Sequence, residues 1–251
     1  MKKIGLITVL VLFLAGMSCN FLNRGVEQAV GQTVNLSGNT VTEERPVSGF
    51  TKVQLDGIGD LAIKIGDTES LTVEADENLL PYIITEVKGG TLIIRMKEDI
   101  RLVNMISDVN YTLTAKSLES FELNGLGNIT LAPLNTQAMT ITLDGSGSIT
   151  IDEVVADSLD ASLNGLGSLT INGGKVTGQD VTLAGAGSYE ASDMVSENAT
   201  ISLTGLGSAT VWVTGTLDAE LTGAGSLEYY GKPQATVTDT GLGSINSLGE
   251  K

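Results

Sequence analysis

The sequence predicts an all-β protein: a right-handed parallel β-solenoid with coils of about 20 residues and an atypical N-terminal cap region. The first observation behind this is a tag, Gly-any-Gly followed by a small polar residue, that occurs eight times, beginning at Gly57, Gly125, Gly145, Gly165, Gly185, Gly205, Gly223 and Gly241. From Gly125 on, the first glycines are spaced 20, 20, 20, 20, 18 and 18 residues apart. A fixed period of that length marks an array whose units bury their apolar faces against one another. The second observation is strict apolar alternation around each tag, as in Ile141 and Leu143 before one and Ile149 and Ile151 after it. The third is composition. Aromatic residues make up 4% of the chain, too few for a helical bundle or a large enzyme core and enough for thin stacked sheets. Each glycine inside a helix would cost about 0.5–1 kcal/mol.

The chain opens with basic Lys2 and Lys3, an apolar run over residues 4–14, and small residues at Ala15, Gly16 and Ser18. The run is too short to span a bilayer and suits a signal peptide, residues 1–18. Cys19 follows and is the only cysteine. Its position resembles the lipidation site of bacterial lipoproteins, although Gly16 stands where such sites usually carry a large aliphatic residue. Residues 19–40 are polar and weakly patterned, as a lipidated N-terminus and tether would be. Anchored this way, the protein has the membrane as its first partner.

Residues 41–251 are expected to form a single domain. Within it, 41–123 reads as an irregular first lobe or cap, because 68 residues separate Gly57 from Gly125. Strand-like runs persist there at residues 61–65, 71–75, 91–96 and 110–115, punctuated by Pro81 and Gly89-Gly90. Terminal repeats of solenoids commonly depart from the pattern because they close an open end. Residues 124–248 carry the regular repeats. Adjacent coils should stack about 4.8 Å apart, in parallel, with right-handed coiling.

Two accounts of the glycine pair are open. It is read first as a sharp corner requiring positive φ. The alternative places the glycines inward, so that Ile58, Leu126, Leu166, Leu206 and Leu242 project outward as an apolar binding stripe. Polar residues flank the tags in two columns. One runs Asp60, Asn128, Ser148, Ser168, Ser188, Ser208, Ser226, Ser244, and the other starts Asp56, Asn124, Asp144, Asn164. A hydrogen-bonded side-chain ladder is the expected role, and a repetitive binding face is the alternative.

Charge and missing residues narrow the function. The formal net charge is −16 and histidine is absent. Between Ser117 and Gly231 one lysine, Lys175, stands against fourteen acidic residues, a net of −13. Such a surface repels nucleic acid and other polyanions. Without histidine there is no Ser-His-Asp triad and no histidine metal site. The tags do not extend to the dinucleotide or phosphate-loop patterns, nor to the calcium-binding nonapeptide, so no cofactor and no metal are expected. Some parallel β-helices degrade polysaccharides, and Asp152, Glu153 and Asp157 are the carboxylates nearest a glycosidase pair. Solvated surface acids are the plainer account of them.

The opening of the domain carries a resemblance. It reads Val41-Thr42-Glu43-Glu44-Arg45-Pro46-Val47-Ser48-Gly49-Phe50, then Val53-Gln54-Leu55-Asp56-Gly57-Ile58-Gly59-Asp60, then Leu71-Thr72-Val73-Glu74-Ala75-Asp76-Glu77-Asn78-Leu79-Leu80. With the later tags, it resembles the bacterial head GIN domain family, labelled "putative autotransporter adhesin" and common in Bacteroidetes envelope proteins. The resemblance runs from Val41 to Leu248 and implies a β-solenoid envelope protein, with no catalytic residues to carry over. No translocator barrel follows the repeats, so a lipid anchor at Cys19 is the expected attachment, with an outer-membrane location. The leading expectation is therefore an adhesive or binding scaffold, without catalysis, whose further partner is a protein or a glycan. A polysaccharide-active enzyme and a structural protein that self-associates through a coil end are the alternatives.

Overall fold

The structure, a computed structural model, describes residues 32–103 and 108–251. It is a parallel β-solenoid of about 6 turns with coils about 20 residues apart. One wall stacks Lys52–Leu55, Ser120–Leu123, Ala138–Leu143, Val154–Leu163, Gly174–Leu183 and the later halves of Ser188–Leu203 and Ser208–Leu221, ending at Gln234–Asp239. A second wall begins at Asp60–Ile65, continues through Leu126–Leu131, Ser146–Ile151 and Ser168–Ile171, and ends at Ser244–Gly249. The tag lies between the two walls in every coil.

Parallel register turns the sequence period into columns, because equivalent side chains sit directly above one another. Leu55, Leu123, Leu143, Leu163, Leu183, Leu203 and Leu221 form one such column, each almost wholly buried. Asp239 takes the next place and is exposed. Leu61, Ile129, Ile149, Leu169, Tyr189, Ala209 and Leu227 form the facing column from the second wall. Together the two columns fill a narrow core and explain why so few aromatic residues are needed. Burying a Leu or Ile side chain contributes about 1.5–3 kcal/mol, and each coil supplies several.

The tag is a bend, as expected, but its glycines are not there for positive φ. Among the sixteen tag glycines only Gly59 (φ 118°) and Gly127 (φ 157°) lie on that side. The cause is the stacking itself. A Cβ on Gly145 would lie 2.1 Å from the carbonyl oxygen of Gly125, and one on Gly165 would lie 2.0 Å from that of Gly145. The same collision recurs up to Gly241 and Gly243. The missing side chain would thus point along the stack into the neighbouring coil. The alternation reading describes the exposure of all tags but the first: their glycines are largely covered while the residue between them faces out, and Ile58 alone is half-buried.

The first lobe is a cap built on two further parallel rungs. Thr91–Met96 pairs with Lys52–Leu55, and Asn110–Ala115 pairs with Asp60–Ile65, both in parallel. Antiparallel strands then cover this end: Ser70–Asp76 lies between Asn110–Ala115 and Thr40–Arg45, and Ile83–Lys88 folds against Thr91–Met96 through the Gly89-Gly90 turn. The strand runs expected in this region are present nearly residue for residue. The sequence boundary at 40 needs moving, because Gln32–Asn35 pairs with Ile100–Val103 and Val34 is buried. Asp76 fixes this segment by accepting hydrogen bonds from the Gly38 N–H at 2.7 Å and the Ser37 hydroxyl at 3.1 Å. Burial opposes ionisation of Asp76, but these bonds and that from the Asn78 N–H outweigh it and hold the carboxyl below its ordinary value. Cys19 and the segments read as signal peptide and lipidated N-terminus lie outside the described residues.

Gly165→Ala should lower stability by about 4 kcal/mol or more, at the diagnostic end of single-residue costs, because the obstructing atom is backbone. Gly178→Ala, where no atom lies within 4 Å of the added carbon, should stay within about 1 kcal/mol of wild type. Urea unfolding followed by emission of the single tryptophan compares the two.

Candidate functional site

The outward residue of each tag forms a ridge along the stack. Backbone hydrogen bonds tie the N–H of Leu126, Ser146, Leu166, Ala186, Leu206, Ala224 and Leu242 each to a glycine carbonyl of the preceding coil, so these residues stand in line. Leu126, Leu166, Leu206 and Leu242 are 57%, 72%, 72% and 91% exposed. Ile58 differs from the other four residues of the expected stripe, being half-buried and packed against the core.

Large and small residues alternate on this ridge. A leucine recurs every second coil, about 10 Å apart at the spacing of parallel strands, with Ser146, Ala186 or Ala224 between. The dips are shallow depressions, open to solvent. One of about 410 Å³ lies over Ala186, between Leu166 and Leu206, with Ser168, Ser188 and Ser208 along its side. A second, of about 210 Å³, lies over Ala224, between Leu206 and Leu242. The flanking residues here are uncharged: Asn164, Ala184, Thr204, Thr222 and Thr240 on one side, serines on the other. A neutral, apolar-toothed strip therefore runs along a strongly acidic protein. Other exposed large apolar residues, such as Val155, Val237 and Leu248, lie apart from it in the sequence repeat.

The polar columns behave as the expected ladder on the early rungs. Asp60 Oδ1 accepts from the Asn128 N–H at 3.0 Å and its Nδ2 at 2.9 Å, and Asn128 Oδ1 in turn accepts from the Ser148 hydroxyl at 2.6 Å. In the other column Asn124 Nδ2 donates to Asp56 at 2.8 Å and Asn164 Nδ2 to Asp144 at 2.7 Å. Asp152, Glu153 and Asp157 are all exposed and line neither hollow. Among the described residues no group of three or more acidic, cysteine or histidine side chains is placed to hold a metal ion.

A family described as "Putative auto-transporter adhesin, head GIN domain" matches residues 49–233. The chain belongs to this family. Solved structures share the fold of this head GIN domain at low identity. A putative adhesin from Bacteroides fragilis is 22% identical with a TM-score of 0.82, covering 86% of this chain and 100% of its own. One from Parabacteroides merdae is 20% identical with a TM-score of 0.69, covering 86% and 99%. A "putative lipid binding protein" from Parabacteroides distasonis is 25% identical with a TM-score of 0.68, covering 86% and 100%. No protein with a curated description matches the chain.

Sequence reasoning missed one further feature, a polar network where the coil length changes. In the head GIN domain Tyr189, in a core column, donates from its hydroxyl to Gln179 Oε1 at 2.8 Å. Gln179 Nε2 donates to Ser196 Oγ at 2.8 Å, and that hydroxyl donates to the Trp212 carbonyl at 3.0 Å. All three side chains are buried. Burial, with Glu190 adding to it, pushes the Tyr189 phenol well above its ordinary value, so it remains a donor. The available signal was the shift in tag spacing from 20 to 18 residues after Gly205. Tyr189→Phe leaves Gln179 short of a partner in a dry core and should cost about 1–3 kcal/mol in urea unfolding.

Proposed function

We propose that this head GIN domain is a lipid-anchored envelope protein that serves as a binding or adhesive scaffold, without catalysis, and that the leucine ridge is its contact surface. The observation that carries this is the ridge itself: four leucines exposed in one line, the last three of them on an uncharged stretch of a protein of net charge −16. Exposed apolar surface in such an arrangement is costly to keep in water unless something covers it. A rigid rod suits the task, because stacked backbone holds the teeth at fixed intervals and little ordering is needed when a ligand binds. The family description and the names of the solved relatives, adhesin in two cases and lipid binding in another, support a binding role.

The anchor supports the location. A basic, then apolar leader ending in Cys19 would place the rod on a membrane surface, in a bacterial envelope, probed from outside or from the periplasm by the same ridge. Cys19→Ala should move the protein from the membrane fraction to the soluble fraction after cell lysis, and an unchanged distribution overturns the anchor.

For the ridge, bead-bound protein is challenged with bacterial sacculi, a glycan array and phospholipid vesicles. Saturable binding to one of them should weaken at least tenfold when Leu126, Leu166, Leu206 and Leu242 are all changed to Ser. The melting temperature should hold, since the teeth are exposed. Binding that survives the four substitutions, or no binding to any of the three, overturns the ridge as the contact surface.

A further inference from the structure

The shortening of the repeat creates a second surface, away from the ridge. The coil that starts at Gly185 has 20 residues and the next, from Gly205, has 18. The longer coil therefore has chain to spare where it passes the shorter one. The mismatch appears as a register break: Ala191 pairs with Val211 and Val195 already pairs with Trp212. Ser192, Asp193 and Met194 form the bulge there. One place is given back where Ser196 pairs with Val213 and Asn198 with Thr216, leaving the net difference of two. Met194 turns into the core, while Ser192 and Asp193 form a ledge that faces out. Glu190 accepts the Ser192 N–H at 3.1 Å and holds the ledge in place.

Beside the ledge, Trp212 and Tyr230 stand in register on adjacent coils, half-exposed. They are successive rungs of one outward column. A cation already sits over them. The Lys251 ammonium lies 5.7 Å from the centre of the Trp212 ring and 5.1 Å from that of Tyr230. It donates to the Ser192 carbonyl at 2.6 Å and forms an ion pair with Asp193. Every group it meets is an acceptor or a π face: one carboxylate, one carbonyl and two ring faces. That set repels anions and offers nothing to a pure acceptor. It holds a compact ammonium with an apolar stem more strongly than a neutral donor, because the carboxylate and both ring faces favour positive charge.

We propose that Trp212, Tyr230, Asp193 and the Ser192 carbonyl form a binding cradle for a primary alkylammonium group, which Lys251 fills in cis. The three N–H donors of such a group match the carbonyl and carboxylate, and its methylenes lie along the two rings. The negative potential of the array, net −13 between Ser117 and Gly231, concentrates cations near it. Lys251 acts as a built-in competitor. Its effective concentration at the cradle is on the order of millimolar or above, as for short intramolecular links, so only a ligand presented densely or bound elsewhere as well displaces it. The cradle makes no use of the leucine ridge and stands or falls separately from it.

Trp212 is the only tryptophan, so its emission reports on the cradle directly. At neutral pH, Lys251→Ala titrated with n-butylammonium should give a saturable change in emission. Wild-type protein should need at least tenfold more ligand. Adding Asp193→Asn to Lys251→Ala should weaken the response at least tenfold, and n-butanol should give none. Should Lys251→Ala fail to fold, Lys251→Gln keeps the stem without the charge and serves in its place. Nα-acetyl-lysinamide and phosphatidylethanolamine vesicles then separate a protein lysine from a lipid amine, and a response to either supports the cradle. No saturable response from the folded variant, an equal response to n-butanol, or indifference to Asp193→Asn would each overturn it.

Discussion

A methyl group on any tag glycine from Gly125 to Gly243 would sit 1.7–2.5 Å from a backbone carbonyl oxygen of the coil before it. That contact distance is what the rest of the molecule depends on. Coils stack at strand spacing only if the bend between the two walls can close as tightly as the walls themselves. A side chain there would wedge neighbouring coils apart at one corner and break the ladder at both sides. With the bend flat, the N–H of each outward tag residue reaches a glycine carbonyl of the previous coil, and the columns of leucine and isoleucine come into contact. The hydrophobic core, the polar ladders and the ridge all follow from a backbone approach that only glycine permits.

Much of this was legible in the chain. Period 20 gave coil length, and period two gave the inward residues. Runs such as residues 91–96 and 110–115 gave cap strands that the structure reproduces as Thr91–Met96 and Asn110–Ala115. The reason for the glycines was not legible. A glycine kept for positive φ and a glycine kept for close approach look alike in sequence, and only the position of the neighbouring coil separates them. The antiparallel cover of the cap was equally hidden, since alternation says which side of a strand is buried and nothing about its partner. Residues 32–40 read as tether because the buried Val34 and the bonds to Asp76 bring together groups some forty positions apart.

The two surfaces arise from opposite properties of the repeat. The ridge with teeth at Leu166, Leu206 and Leu242 is a product of regularity, since the same outward position recurs in every coil and only the choice of large or small residue shapes it. The ledge at Ser192 and Asp193 is a product of a defect, the two residues dropped from the next coil. An acidic solenoid with few aromatic residues places its single tryptophan beside that defect, and the buried Tyr189–Gln179–Ser196 network fills the core behind it. Regular stacking gives a long surface of uniform, modest chemistry, whereas the irregular coil gathers charge, rings and hydrogen-bonding groups in one place.

Asp239 occupies the position that a leucine fills in the seven rungs paired below it. Another coil laid on top, whether from a neighbouring molecule or a misregistered copy, would have to strip water from that carboxylate and leave it against leucine. Open strand edges otherwise invite unlimited addition. One acid at a core-column position therefore makes that end of the stack a poor template for a further coil, in a protein otherwise made of interchangeable ones.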